Sequence, residues 1–393
     1  MAVNNLTINQ LATTLNAIRK QATGQEPIAV TDTGSFTTVA QTLLTIGYDP
    51  LLNAISQVLG RTIFSIRPYN RRFAGIRADS QRWGHITRKL NIVDKDFEND
   101  ARFELTDGQS VDMYKVNKPE ILQTNFYGTN VWEKSYTIFK DQLDMAFQGP
   151  EQFGSFLTLV TTNASDMIEQ ANESLARATI ANFIGGRVAY MLGEHDGVVH
   201  MLTEYNTKTG LSLTRQDISK PEYQKPFWQF AFARIASLSA MMTERTTKFQ
   251  TNVNGKPITR HTPYNRQKVY ITANEKYGIE AQVLADTFHD NYLSLADVET
   301  VNYWQSPDTP DEIQVLPTYL LNTGELFTRE DPLTVSNILG VIFDEEALGY
   351  TVMGEWSAAT PFNAKGGYTN MFYHWTTRFW NDFTEKGIVL LLD

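Results

Sequence analysis

Three groups of side chains in this 393-residue sequence have residue types and spacings suited to catalysis or metal binding. Asp32-Thr33-Gly34-Ser35 is the triplet of aspartic proteases, in which two carboxylates share one proton so that one serves as base and the other as acid. That chemistry needs two copies, and the sequence holds one. The apolar strand that should lead into it is short, so Asp32 or Ser35 reads as the cap of the helix that follows. Asp94, Asp96, Glu98 and Asp100 alternate like the first ligands of a calcium loop. However, Asn99 sits where the sharp turn wants glycine, and Leu105 where a bidentate glutamate belongs. These acids read as a solvated hairpin tip. His195-Asp196 and His200 lie in a loop, and a five-residue spacing does not place two imidazoles on one helical face. The other histidines, His85, His261, His289 and His374, are scattered among aromatics and strands. No phosphate-binding glycine loop, nucleophile elbow or kinase signature is present. No catalytic, metal or cofactor-binding residue is assigned, and no cofactor is expected. The least poor catalytic alternative is an α+β hydrolase using Asp32.

Composition narrows the class further. At 42% hydrophobic and 20% charged residues the chain is globular, and it exceeds the size at which one hydrophobic core stops growing, so more than one lobe is expected. It has no cysteine, which excludes disulfides and thiolate metal sites. No basic segment followed by an apolar core opens the sequence, and its longest aliphatic run is Ile388 to Leu392, so neither a signal peptide nor a membrane span is expected. The net charge of −10 is unevenly spread: residues 1–90 carry +6 and the remainder −16. A basic N-terminal part on an acidic body suits either nucleic acid or the acidic body of another copy. The acidic body repels polyphosphate, which favours the second.

The element that organises the chain is a predicted helix over 150–184. Phe153, Phe156, Leu157, Val160, Ala164, Met167, Ile168, Ala171, Leu175, Ala178, Ala181 and Ile184 fall at three- and four-residue steps, one stripe along one side. Pro150 suits the first helical position, and Gly185-Gly186 reads as its left-handed cap. Such a helix spans roughly 50 Å. Before it come three short amphipathic helices and then strand-like texture with the basic residues Arg67, Arg71, Arg72, Arg77, Arg82, Arg88 and Lys89. Apolar runs flank a polar segment from Asp94 to Lys118, which predicts a projecting hairpin. A short helix over 139–147 leads into the long one. After it, residues 187–226 read as turns, a helix starts near Phe227, another covers 279–288, and strands recur at 268–272, 298–304, 315–321, 338–343 and 350–353. The close is two strands, Tyr368 to Trp380 and Lys386 to Leu392.

This order of parts resembles the major capsid protein of tailed bacteriophages, the Hong-Kong-97-type fold, and among these the podoviruses of the phi-29 kind. The resemblance is carried by Leu143 to Phe147, by Gly149-Pro-Glu-Gln-Phe-Gly-Ser-Phe-Leu157, by Asn182 to Gly185 and by Asn370-Met-Phe-Tyr-His-Trp-Thr-Thr-Arg-Phe379. It departs at one point. The sequence closes at Asp393 after the last strand, where the phi-29 kind carries an immunoglobulin-like domain, so the resemblance does not extend to exterior decoration by this chain.

The resemblance implies an α+β capsid subunit: an N-terminal arm over 1–75, an extended hairpin loop over 76–130, a peripheral domain over 131–190 and 345–393, and an axial domain over 191–344. It implies hexamers and pentamers of this chain, in an icosahedral or prolate shell around double-stranded DNA that is not bound by sequence. Partners would be other copies, a scaffolding protein and a portal, with no membrane, and the place of action would be the virion after assembly in the host bacterial cytoplasm. Interface residues would be Arg67, Arg71, Arg72, Arg77, Arg82, Arg88 and Lys89 on the basic side and Asp94, Asp96, Glu98 and Asp100 on the acidic side. The alternative of a portal subunit needs a longer helical stem than the pattern offers.

Overall fold

The computed structural model describes residues 16, 17, 19, 20, 39, 73–78, 87–94, 100, 105–114, 116, 118–146, 150–191, 197–254, 256, 258–283 and 298–393. The Asp32 triplet, His195-Asp196 and nearly all of the predicted arm lie outside these residues.

The centre of the fold is a five-stranded mixed sheet in the order β4 (Val198–His200), β14 (Gly387–Leu391), β11 (Ile338–Asp344), β5 (Gln267–Thr272), β6 (Val298–Val301). Its strands alternate between two apolar layers, because successive side chains on a strand point to opposite faces. Val198, Tyr270, Val301, Val341, Phe343, Val389 and Leu391 face the long helix, beside Leu175, Ile180, Phe183 and Ile184. Val199, Val269, Ile271, Ile342, Ile388 and Leu390 face a helical layer made by α3 (Met201–Thr209), α4 (Pro221–Thr243) and α5 (Ala273–Val283). Burial on both faces explains why Ile388 to Leu392 is apolar without alternation. Each such side chain withdrawn from water stabilises the fold by about 1.5–3 kcal/mol.

The second sheet is antiparallel, with β13 (Tyr368–Asn381) between β12 (Leu348–Ala359) and β3 (Thr129–Phe139). A short helix, α1 (Lys140–Ala146), then precedes the spine helix, α2 (Pro150–Met191). The hairpin pairs β1 (Thr87–Ile92) with β2 (Ile121–Phe126) in register from Thr87–Phe126 to Ile92–Ile121. No described helix is long and apolar enough to cross a membrane.

The spine differs from its sequence reading in three ways. It runs 42 residues, roughly 63 Å, and passes through Gly185 and Gly186 instead of ending there. The glycines are there for close approach: a Cβ on Gly185 would stand 2.4 Å from Val315, and one on Gly186 2.5 Å from the Phe383 ring. The predicted stripe holds at Ile168, Leu175, Ala181 and Ile184, but Met167 and Ala178 are exposed and Ala171 is only half-buried. Beyond Thr179 burial extends around most of the helix, because the central sheet, β8 (Thr318–Leu320) and the end of β13 enclose it. Elsewhere α4 begins at Pro221 and continues through Pro226, and α3 occupies part of the stretch read as turns. The strand expected over 315–321 is broken at Leu316-Pro317 into β7 (Ile313–Val315) and β8, which pair with β10 (Leu333–Val335) and β9 (Leu326–Thr328).

Candidate functional site

Between β13 and β14 lies a five-residue turn, Asp382-Phe-Thr-Glu-Lys386, that is polar in sequence yet buried throughout, Lys386 completely. Four parts of the molecule meet on it. From the hairpin, Lys89 of β1 reaches Asp382 Oδ2 at 2.9 Å, Glu346 at 3.3 Å and also Glu385. From the spine, the wholly buried Arg187 donates to the Glu385 carbonyl at 2.6 Å and the Phe383 carbonyl at 3.2 Å, its guanidinium lying against the rings of Phe183 and Phe383. From the loop after α4, Arg260 pairs with Glu385 at 2.6 Å and donates to the Thr384 carbonyl at 2.7 Å. Lys386 donates to the carbonyls of Glu244 at 2.6 Å and Met242 at 3.3 Å, the end of α4. An ammonium over those unpaired carbonyls is a favourable partner for the helix dipole.

Burial moves these groups in predictable directions. It opposes the charge on Lys89, but Asp382 and Glu385 outweigh it and hold that ammonium above its ordinary range. Glu385 is pushed up by burial, against the pull of Lys89 and Arg260. Arg187 is lowered to about 10 and Lys386 to about 8, both chiefly by desolvation. Buried charges of this kind hold together only while each has a partner. The junction therefore behaves as one unit joining hairpin, spine and both sheets.

Of the sequence-assigned residues, Arg88, Lys89 and Asp94 lie at the described base of the hairpin. Lys89 points inward to the junction and Arg88 outward to solvent, as alternation requires. Asp94 Oδ2 accepts from the Thr259 amide and hydroxyl, both at 2.5 Å, and its Oδ1 pairs with Arg245 at 2.8 Å; the Thr259 bonds are the main reason its carboxyl is held below the usual range. Arg77 bridges to Tyr350 through its backbone, and Asp100 is exposed. Arg67, Arg71, Arg72, Arg82, Asp96 and Glu98 lie outside the described residues. Sequence reasoning missed Arg187, Arg260, Asp382, Glu385 and Lys386. The available signal was a run of charge confined between two wholly apolar strands.

Beyond its base the hairpin differs from its reading as a purely polar tip. Leu105, Val111, Met113, Tyr114 and Val116 are exposed, Met113 and Tyr114 to 80%. Of the twenty large apolar side chains exposed among the described residues, eleven lie between Leu90 and Phe139, so the bare apolar surface is concentrated there. Such concentrated exposure marks a surface built to be covered by another molecule.

Residues 15–388 match the family described as Phi29-like phage major capsid protein. The chain belongs to that family. No curated protein matches it. Among solved structures it is similar to a chain in the capsid structure of Staphylococcus phage Andhra, at 13% identity, TM-score 0.55, covering 84% of this chain and 86% of that one. It is also similar to a chain in the structure of head fiber and inner core protein gp22 of native bacteriophage P68, at 12% identity, TM-score 0.53 and the same coverages. These likenesses show the α+β Hong-Kong-97-type capsid fold expected from the sequence. The protein is thus a major capsid protein, a shell-forming structural component of the virion, and a bare apolar hairpin is what a self-assembling subunit would carry.

Proposed function

We propose that this capsid protein assembles through hexamers and pentamers into a head shell that encloses double-stranded DNA, and that the hairpin tip of each subunit covers an adjacent one. The observation that carries the reading is the exposed apolar series from Leu105 to Val116 on a hairpin whose base alone is seated on its own chain. In this reading residues 1–75 are the arm, 76–130 the extended loop, 131–190 with 345–393 the peripheral domain, and 191–344 the axial domain. Arg67, Arg71, Arg72, Arg77, Arg82 and Arg88 meet carboxylates of neighbouring copies, and Asp96, Glu98 and Asp100 meet their cations. Lys89 and Asp94 serve the hairpin base. The acidic body leaves the packaged DNA unbound by sequence, since every added cationic contact would strengthen its hold on phosphate. A scaffolding protein and a portal complete the assembly, which takes place in the host bacterial cytoplasm.

Deleting Leu105 to Val116 tests the reading, because it removes the exposed series and leaves the seated base intact. The shortened chain is expected to remain a folded, soluble subunit and to form no shells in negative-stain images. Normal shells from it would refute the role of the tip.

A further inference from the structure

The hairpin base is held to the body by charge at three separated points. Lys89 on β1 meets Asp382 and Glu385, Asp94 beyond the end of β1 meets Arg245 and Thr259, and Glu120 just before β2 meets Lys256 at 3.2 Å. Apolar contact beneath the base comes from Val93, which is buried, from Leu122, half-buried beside Val253 and Ile258, and from Phe126, half-buried near Trp380, while Leu90, Ile92 and Ile121 point away into solvent. On the β2 side the chain joins the body through Gly128, whose carbonyl accepts from the Phe379 amide at 3.2 Å, and ahead of β1 the Ala78 amide donates to the Tyr350 carbonyl at 2.9 Å. A Cβ on Gly128 would stand 2.6 Å from the Phe379 carbonyl oxygen, so the chain is pressed onto β13 there. Among the described residues the base thus has three ionic stays beside the anchored ends of its two connecting segments.

We infer that Lys89, Asp94 and Glu120 form an ionic latch that sets the direction in which the hairpin leaves its subunit. The latch is graded. The Lys89 side chain is 19% exposed and its partners Asp382 and Glu385 are nearly sealed, whereas Arg245, Lys256 and Glu120 stand in water. Exposed pairs are screened by salt and buried ones much less, so salt frees the two outer stays before the inner one. A hairpin aimed loosely meets its neighbour at varied angles, and the shell loses uniformity. This last step rests on the proposed covering of an adjacent subunit; the latch itself does not.

Hydrogen exchange followed by mass spectrometry on unassembled subunits, with electron microscopy of shells, tests the inference. In a combined Lys89→Met, Asp94→Asn, Glu120→Gln chain, exchange at residues 87–94 and 120–126 is expected to rise about ten-fold, and exchange in α3 and α5, away from the junction, to stay unchanged. Its shells are expected to be heterogeneous in diameter. In about 1 M salt the unaltered chain should open at 93–94 and 120 while 87–90 stay protected. Because the chain has no cysteine, Asp94→Cys with Thr259→Cys gives an unambiguous disulfide stay. Oxidised, it should hold the base closed in salt; reduced, it should not. Unchanged exchange in the combined variant, or salt-opening that the oxidised pair fails to prevent, overturns the latch. If exchange rises as expected but shells of normal uniformity form, the aiming role is overturned. Normal assembly of the tip-deleted chain with these exchange results intact would instead sink only the covering of a neighbour.

Discussion

The turn at Asp382–Lys386 and the hairpin tip at Leu105–Val116 distribute their side chains in opposite ways. The turn carries three charged residues within five positions and hides all of them, while the tip shows valine, methionine and tyrosine to solvent. In the turn each charge finds a partner from elsewhere in the same chain; at the tip the described apolar groups lie open to solvent. Burial therefore follows where partners are, and in a shell subunit some of them belong to another copy. Charge at the junction ties the parts of one chain together, and under the proposed function apolar surface at the tip ties one chain to the next.

The comparison can be broken most severely at the spine. Gly185→Pro removes a helical hydrogen bond and drives a ring toward Val315, a loss of at least about 3 kcal/mol beyond the clash. Soluble expression and far-UV circular dichroism should show an unfolded or aggregated product, and a folded Gly185→Pro chain would mean the helix ends before it. Arg187→Met leaves the Glu385 and Phe383 carbonyls and the nearby carboxylates without their buried cation. Denaturant unfolding should register a loss of about 3–5 kcal/mol; a loss under about 0.5 kcal/mol would show that the junction is not a unit.

Lys386 sharpens the contrast through pH. Its ammonium sits at about 8 in the fold against 10.5 as a free side chain, so the unfolded chain holds the proton more tightly. Burying the charge consequently costs stability at all pH below about 8, and that cost fades as pH rises from 8 toward 10.5. Calorimetry across this interval should show the unaltered chain gaining stability relative to Lys386→Met, and a constant difference would show that the group does not titrate there. The smallest effect belongs to the hairpin. Ile92→Gln, on a side chain 66% exposed, should change subunit stability by no more than about 0.5 kcal/mol while lowering shell yield. A marked fall in subunit melting temperature would place Ile92 in the subunit's own core.

Much of the scaffold was legible because periodicity records local geometry. The three- and four-residue steps marked the spine, apolar flanks around a polar segment marked the hairpin of β1 and β2, and an unbroken apolar run marked β14. What stayed hidden depends on distance along the chain. Lys89 and Glu385 are 296 positions apart, and nothing local in Asp-Phe-Thr-Glu-Lys distinguishes a buried turn from a solvated one. Gly185-Gly186 was misread for the same reason, since close approach by Val315 and Phe383 is invisible from within the helix. Helix α3, Met201–Thr209, escaped because it is short and largely polar. The apolar tip was overlooked because Val111, Met113, Tyr114 and Val116 are scattered through a segment dominated by charge.

The sheet order also fixes a timetable for synthesis. β13 fills the middle of one sheet beside β3, and β14 enters the other between β4 and β11. The sheet of β3 cannot close until residue 381 has emerged and the central sheet until residue 391, although β3 is finished at residue 139. At roughly 5–20 residues per second the ribosome leaves β3 without its partner strand for roughly 12–48 s. Throughout that interval the edges of β3 are open to any other strand, and many nascent copies are made together in one cell. Slowing translation should lengthen that interval and lower the yield of competent subunits.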